Sequence, residues 1–121
     1  MDALDLLLKM DLPSPEEKEI KIKRLSRLCG EDVIFRLRQL SYSRVEEIRK
    51  ANSEDVSIHI LLSGVVSPSF KNTALREKYG AETPAELVKK LLLPGEIEDI
   101  SRTIERMCGY RTETIEDIKK K

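Results

Sequence analysis

Apolar residues recur along this chain at intervals of three and four, and capping residues, prolines and glycines break the runs into short helices. The clearest case lies between Gly80 and Tyr110. Thr83 can accept a hydrogen bond from a first-turn N–H, Pro84 suits the first helical position, and Glu86 completes a capping box. Leu87, Val88, Leu91 and Leu92 then share one helical face, and Pro94-Gly95 is read as the stop. Beyond that corner Ile97, Ile100, Ile104 and Met107 form a second stripe, with Gly109 able to supply a left-handed cap.

The same reading extends to both ends. Leu4, Leu7 and Leu8 share one side of a short N-terminal helix that the segment Asp11-Leu-Pro-Ser-Pro cuts off. Such a helix is marginal alone and must dock on its own domain or on a partner to persist. Ser14, Pro15, Glu16 and Glu17 resemble a capping box opening a helix with Ile22, Leu25, Leu28 and Cys29 inward and Gly30 at its end. Glu31 and Asp32 place acidic charge at the start of a next helix, with Val33, Ile34, Leu37 and Leu40 buried and Arg36 and Arg38 outward. Ser43 and Glu46 predict a third box, with Val45, Ile48 and Ala51 inward. Asn52-Ser53-Glu54-Asp55 leads into the most apolar segment, from Val56 to Val66. Its β-branched residues also suit a strand, but its length, acidic lead-in and helical neighbours favour a central helix buried on most faces. Ser67-Pro68 ends it and caps a helix with Ala74, Leu75 and Tyr79 inward, closed by Gly80. Thr112 starts a last amphipathic stretch through Ile115 and Ile118, with Lys119, Lys120 and Lys121 as cations at its negative end. The predicted fold is all-α: one compact domain of about six to eight short helices, residues 1–12 being a helix loosely tied by the proline-rich linker.

Composition agrees. A chain of 121 residues can bury a core. Charged residues make up 36% and aromatics 4%, with no Trp, which suits helices with salt-bridged outer faces better than a sandwich or barrel. The 22 basic and 22 acidic residues cancel, so no global field draws the molecule to nucleic acid or anionic lipid. The N-terminus lacks the basic and apolar regions of a signal peptide, and no apolar run approaches the ~20 residues of a membrane span. Cys29 and Cys108 each precede a glycine and form no Cys-x-x-Cys motif, so they read as two buried thiols in a reducing, cytosolic compartment.

A search for chemistry finds none. His59, the single histidine, stands among Ile58, Ile60 and Leu61 with no Cys, Asp or Glu at ligand spacing, and reads as a packed residue. Ser63 lacks the Gly-x-Ser-x-Gly elbow of a nucleophile, and the five glycines never cluster into a phosphate loop. Pairs such as Glu16/Glu17, Glu46/Glu47 and Glu98/Asp99 fit capping and solvation. No enzyme activity, metal or cofactor is expected. From Glu16 to Lys50, ten Lys/Arg face seven Asp/Glu, and Arg24, Arg27, Arg36 and Arg38 projecting outward would give a helical nucleic-acid binder its phosphate contacts. No Asn, Gln or Arg cluster suited to reading bases accompanies them, so a solvated face over residues 21–50 is the preferred reading.

Three stretches resemble a known family. They are Glu19-Ile-Lys-Ile-Lys-Arg-Leu-Ser-Arg-Leu with the following Gly-Glu-Asp-Val-Ile-Phe, the run Lys78-Tyr-Gly-Ala-Glu-Thr-Pro-Ala-Glu-Leu-Val-Lys-Lys-Leu-Leu-Leu-Pro-Gly-Glu-Ile, and Cys108-Gly-Tyr. From about Pro13 to Tyr110 the chain is similar to the tail assembly chaperones of long-tailed phages and prophages of Gram-positive bacteria, the type in the defective prophage of bacilli. The resemblance implies a non-enzymatic helical protein of the host cytoplasm that binds the tape-measure protein, helps recruit tail-tube subunits and leaves before the virion is finished. A frameshifted longer form often accompanies the short one, and Lys119-Lys120-Lys121 is compatible with an A-rich slippery sequence. A helical partner would cover the apolar stripes of a tape-measure protein helix-in-groove. The expected contact is surplus apolar surface at Leu4, Leu7 and Leu8, or beside Leu91, Leu92 and Leu93. For the second group, completing the core is the preferred reading.

Overall fold

The computed structural model describes residues 1–52 and 54–118. Ser53 of the lead-in to the apolar segment, and Lys119, Lys120 and Lys121, lie outside the described residues. The chain order is α1 (Ala3–Lys9), β1 (Glu17–Lys21), α2 (Lys23–Cys29), β2 (Ile34–Arg38), α3 (Tyr42–Ala51), α4 (Val56–Gly64), β3 (Val65–Ser67), α5 (Thr73–Lys78), α6 (Pro84–Leu91) and α7 (Pro94–Met107).

The fold is predominantly helical, and the all-α expectation is corrected by a three-stranded antiparallel sheet with β2 at its centre. One predicted helix is a strand for most of its length, and another is a strand in its first half. In β2, Phe35 and Leu37 are buried while Ile34, Arg36 and Arg38 are exposed, a period of two that only a strand produces. Ile20 and Ile22 alternate with Lys21 and Lys23 in the same way, and Ile20 lies opposite Phe35 in the register. The supposed capping group at Ser14-Pro15-Glu16-Glu17 caps nothing. The Glu16 N–H donates instead to the Gln39 side chain at 3.1 Å, and the Gln39 N–H donates to the Glu16 carbonyl at 2.9 Å, closing the end of the β1–β2 ladder. Helical structure resumes only at Lys23, so Ile22 and Leu25 pack inward while Leu28 and Cys29 are exposed. Gly30, at φ 75°, ends α2 in the left-handed conformation expected of it. Buried Ser26 ties α2 to the start of β2: its hydroxyl donates to the Ile22 carbonyl and accepts the Val33 N–H, both at 2.8 Å.

Other boundaries move by a turn or less. Ser41, not Ser43, caps α3 by accepting the Arg44 N–H, and it leaves Val45 and Ile48 buried but Ala51 exposed. The apolar segment is helical as expected, but stops at Gly64, and Val65–Ser67 crosses to pair antiparallel with β2. Asn72 caps α5, and Ala74 and Tyr79 face solvent while Leu75 is half-buried. Pro94 is the first residue of α7 and so begins the second helix of the corner it was read as ending. Among the described residues no helix forms after Thr112, and Ile115 and Ile118 are exposed.

The core gathers Phe35 and Leu37 from β2, Val45 and Ile48 from α3, Ile58, Ile60 and Leu61 from α4, Leu87 and Val88 from α6, and Ile97, Ile100 and Ile104 from α7. Helix α4 is the middle layer, packed on α3, α6 and α7, as a segment apolar on nearly all sides requires. It crosses α7 closely at Gly64, where an added Cβ would meet Ile104 carbons at 2.5, 2.8 and 2.9 Å. Phe70 closes the far edge, its ring edge-on to Phe35 with centroids 5.9 Å apart.

The corner between α6 and α7 is held from outside. Arg24 of α2 donates to the Leu91 carbonyl at 2.8 Å and to both Glu96 oxygens at 2.9–3.3 Å, while Glu96 accepts the Leu93 N–H at 2.7 Å. An orphan carbonyl at the end of α6 and an orphan N–H at the start of α7 are both satisfied by one ion pair. The Arg24 guanidinium, with the Leu93 N–H, holds the Glu96 carboxyl below the usual carboxylate range against the opposing effect of burial.

Candidate interaction surface

The surface furthest from being satisfied is α1. Asp2 caps it by accepting the Asp5 N–H at 2.9 Å, and that bond holds the Asp2 carboxyl below its ordinary value. Lys9 places a cation in the last turn. Nothing is buried along it: Leu4, Leu7 and Leu8 are 64%, 65% and 75% exposed. Leu6, Met10 and Leu12 are exposed as well, which widens the leucine stripe read from the sequence into apolar surface on most sides of the arm. The second group divides. Leu92 is a core residue, Leu91 is half-buried against the core, and Leu93 is 51% exposed at the α6–α7 corner. Leu93, the N-cap residue of α7, is thus the most exposed member of that group.

A groove of 770 Å³, not foreseen from the sequence, opens between the end of β2, α3, α4 and β3. Leu40, Leu62 and Val66 give it a half-buried apolar floor, and Arg38, Arg44 and Lys71 stand on its rim beside one acid, Glu47. His59 and Ser63 both line it. Ser63 accepts the Arg44 Nε–H and Nη2–H at 3.2 and 3.0 Å, so its hydroxyl orients an arginine. The groove draws its walls from segments remote in sequence, which is why periodicity within any one of them gave no sign of it.

The basic face of residues 21–50 is largely committed to ion pairs. Lys21 meets Asp32 at 3.0 Å, Arg24 meets Glu96 at 2.9 Å, Arg36 meets Glu17 at 3.7 Å, Arg44 meets Glu47 at 3.4 Å and Arg49 meets Glu105 at 3.7 Å. Among the described residues no three His, Cys, Asp or Glu side chains gather as metal ligands, and no helix is long and apolar enough to cross a membrane. The cysteines differ from the expected buried pair. Cys29 is exposed, and Cys108 is half-buried, its Sγ accepting the Leu40 N–H at 3.3 Å and donating to the Leu40 carbonyl at 3.6 Å.

Several residues that carried the family resemblance serve geometry. Gly80 and Gly109 sit at φ 64° and 94°. Ala81 is buried, Thr83 caps α6 by accepting the Glu86 N–H, and Glu86 in turn accepts the Glu82 N–H at 2.8 Å. Lys90 reaches back to the Tyr79 and Gly80 carbonyls at 3.1 and 3.0 Å. At the other end the Tyr110 ring lies 4.8 Å beneath the Arg49 guanidinium.

Comparison with known proteins points the same way. Residues 51–120 match the model of a family described as phage XkdN-like tail assembly chaperone proteins, more than half of the chain. The crystal structure of the protein YqbN superposes with a TM-score of 0.71 at 26% identity, covering 91% of this chain and 98% of that one. No curated protein matches.

Proposed function

The chain belongs to the XkdN-like family of phage tail assembly chaperones, and from that membership we propose that it binds the tape-measure protein during tail assembly and helps bring tail-tube subunits to it. The observation that carries this reading is the leucine-rich arm α1, uncovered along its whole length on a chain whose remaining apolar residues are largely packed. The chain acts as one domain over residues 1–121, with residues 1–12 a loosely attached arm on the proline-rich linker. A tape-measure protein rich in long helices presents apolar stripes that must be covered until tube subunits enclose them, and a leucine stripe offers matching surface. Leu4, Leu7 and Leu8 are the principal contacts and Leu93 an accessory one. The work is done in the host cytoplasm by contact, with no bond made or broken and no cofactor, and the protein leaves before the virion is complete. A frameshifted longer form accompanies it, which reading the gene for an overlapping downstream frame tests directly.

Leu4→Glu with Leu8→Glu puts two charges on the stripe without touching the core. Pull-down of the tape-measure protein from the same phage should fall to background, with the circular dichroism spectrum and Tm of the variant unchanged. Retention at the wild-type level overturns the assignment.

A further inference from the structure

We propose that the groove between α3, α4 and β3 receives the α1 arm of a second copy of this chain, so that the free chaperone associates by exchanging arms. Three observations converge on that occupant. The arm is a seven-residue helix, too short to persist uncovered, with apolar side chains that nothing in its own copy buries. The arm is acidic and the groove basic: Asp2, Asp5 and Asp11 against Lys9 on one, Arg38, Arg44 and Lys71 against Glu47 on the other. The floor between those cations is apolar, so leucines can seat while the carboxylates reach the rim, the arrangement that lets charge select the partner and apolar area hold it.

The linker decides between the arm's own groove and another copy's. Pro15 forms part of the groove wall, so the chain departs from the groove at that point. A proline disfavours helical backbone in the residue before it, so Pro13 and Pro15 bias Leu12 and Ser14 toward extended backbone, which opposes a tight reversal between Lys9 and Pro15. A second copy's arm meets no such constraint. Two chains related by a two-fold axis would each give an arm and receive one, a closed isologous exchange.

This inference concerns the free protein and stands apart from the tape-measure reading, because its test contains no tape-measure protein. The two meet at one point: a stripe seated in a second copy is unavailable to a helical client, so client and second copy exclude each other.

Sedimentation equilibrium on the full chain, from micromolar to several hundred micromolar, tests it with two charge-reversed variants. One carries Asp5→Lys and Asp11→Lys on the arm. The other carries Arg44→Glu and Lys71→Glu on the rim. All four positions are exposed, so both variants should keep the wild-type circular dichroism spectrum. The wild-type chain should dimerise with concentration, and each variant alone should associate roughly a hundredfold more weakly because like charges face each other. Mixing the two should restore the dimer, since arms and grooves of opposite sign then meet in both directions. A wild-type chain that stays monomeric throughout overturns the proposal, an outcome that includes docking of the arm in its own groove. So does a dimer that survives both reversals, or a mixture that fails to recover.

Discussion

Gly64→Ala should destabilise the molecule by about 2 kcal/mol, lowering Tm by roughly 8 °C. Two effects oppose each other at this position. Alanine is the better helix former by up to about 1 kcal/mol, which favours the variant. The new methyl, however, would stand 2.5–2.9 Å from Cδ1, Cγ2 and Cγ1 of Ile104, whose side chain is fully buried. Rotating the flexible tip of Ile104 relieves one of those three contacts, and the branch at Cβ keeps the others, so α4 and α7 must move apart. Overpacking of this kind usually costs about 1–3 kcal/mol, and here the propensity gain offsets only part of it. Thermal unfolding followed by circular dichroism measures the loss. Ile104→Ala alone leaves a hole and should cost about 3 kcal/mol. The double variant should be no less stable than Ile104→Ala by itself, because the space emptied by one change accommodates the other. Simple addition of the two losses would show that the helices do not meet at this pair.

Arg24→Ala comes next in size. It removes the donor to the Leu91 carbonyl and the partner of Glu96 together, at side-chain exposures of 28% and 19% for the two ionic groups. Hydrogen bonds to charged groups are worth about 1.5–3 kcal/mol each in net stability. Partial exposure places the expected loss near about 2 kcal/mol. The pair also sets an acid limit. Glu96 titrates lower in the folded chain than its ordinary value of 4.5, so its contribution is present above that value and is lost as pH falls through the lowered one. Glu96→Gln keeps an acceptor for the Leu93 N–H but abolishes the titration. Its stability should therefore vary less than the wild type's below the ordinary carboxylate range. Denaturant unfolding at a series of acidic pH values gives the comparison, and parallel curves would remove Glu96 from the account.

What could be read from the residues alone follows from how local each signal is. The stripe Ile97, Ile100, Ile104 and Met107, and the cap at Thr83, are decided within a turn or two, and both stand in the structure much as the periodicity requires. The central position of α4 was legible too, since a segment apolar on all sides has nowhere else to go. The strands were misread because their evidence was shared with a helical alternative. Ser14-Pro15-Glu16-Glu17 has the composition of a cap, and Val33, Ile34, Leu37 and Leu40 have helical spacing. The competing pattern, Phe35 and Leu37 alternating with Arg36 and Arg38, was equally visible, and burial against α7 with pairing to β1 and β3 decided in its favour. Arg24 shows the limit differently. On its own helix it reads as one more outward cation, and its acceptors lie 67 and 72 residues away. The proline-broken linker set the first helix apart but left open whether it docks on its own domain, and the groove, built by segments remote in sequence, gave no local sign.

The middle position of α4 has a consequence for when this protein becomes useful. Its principal neighbour, α7, follows every other described element in chain order, so a nascent chain that has already delivered the sheet strands, α3 and α4 to the outside of the ribosome still lacks the main cover for its most apolar surface. Closure of the core must wait until α7 has emerged to cover α4, so folding is a single late event rather than a progressive one.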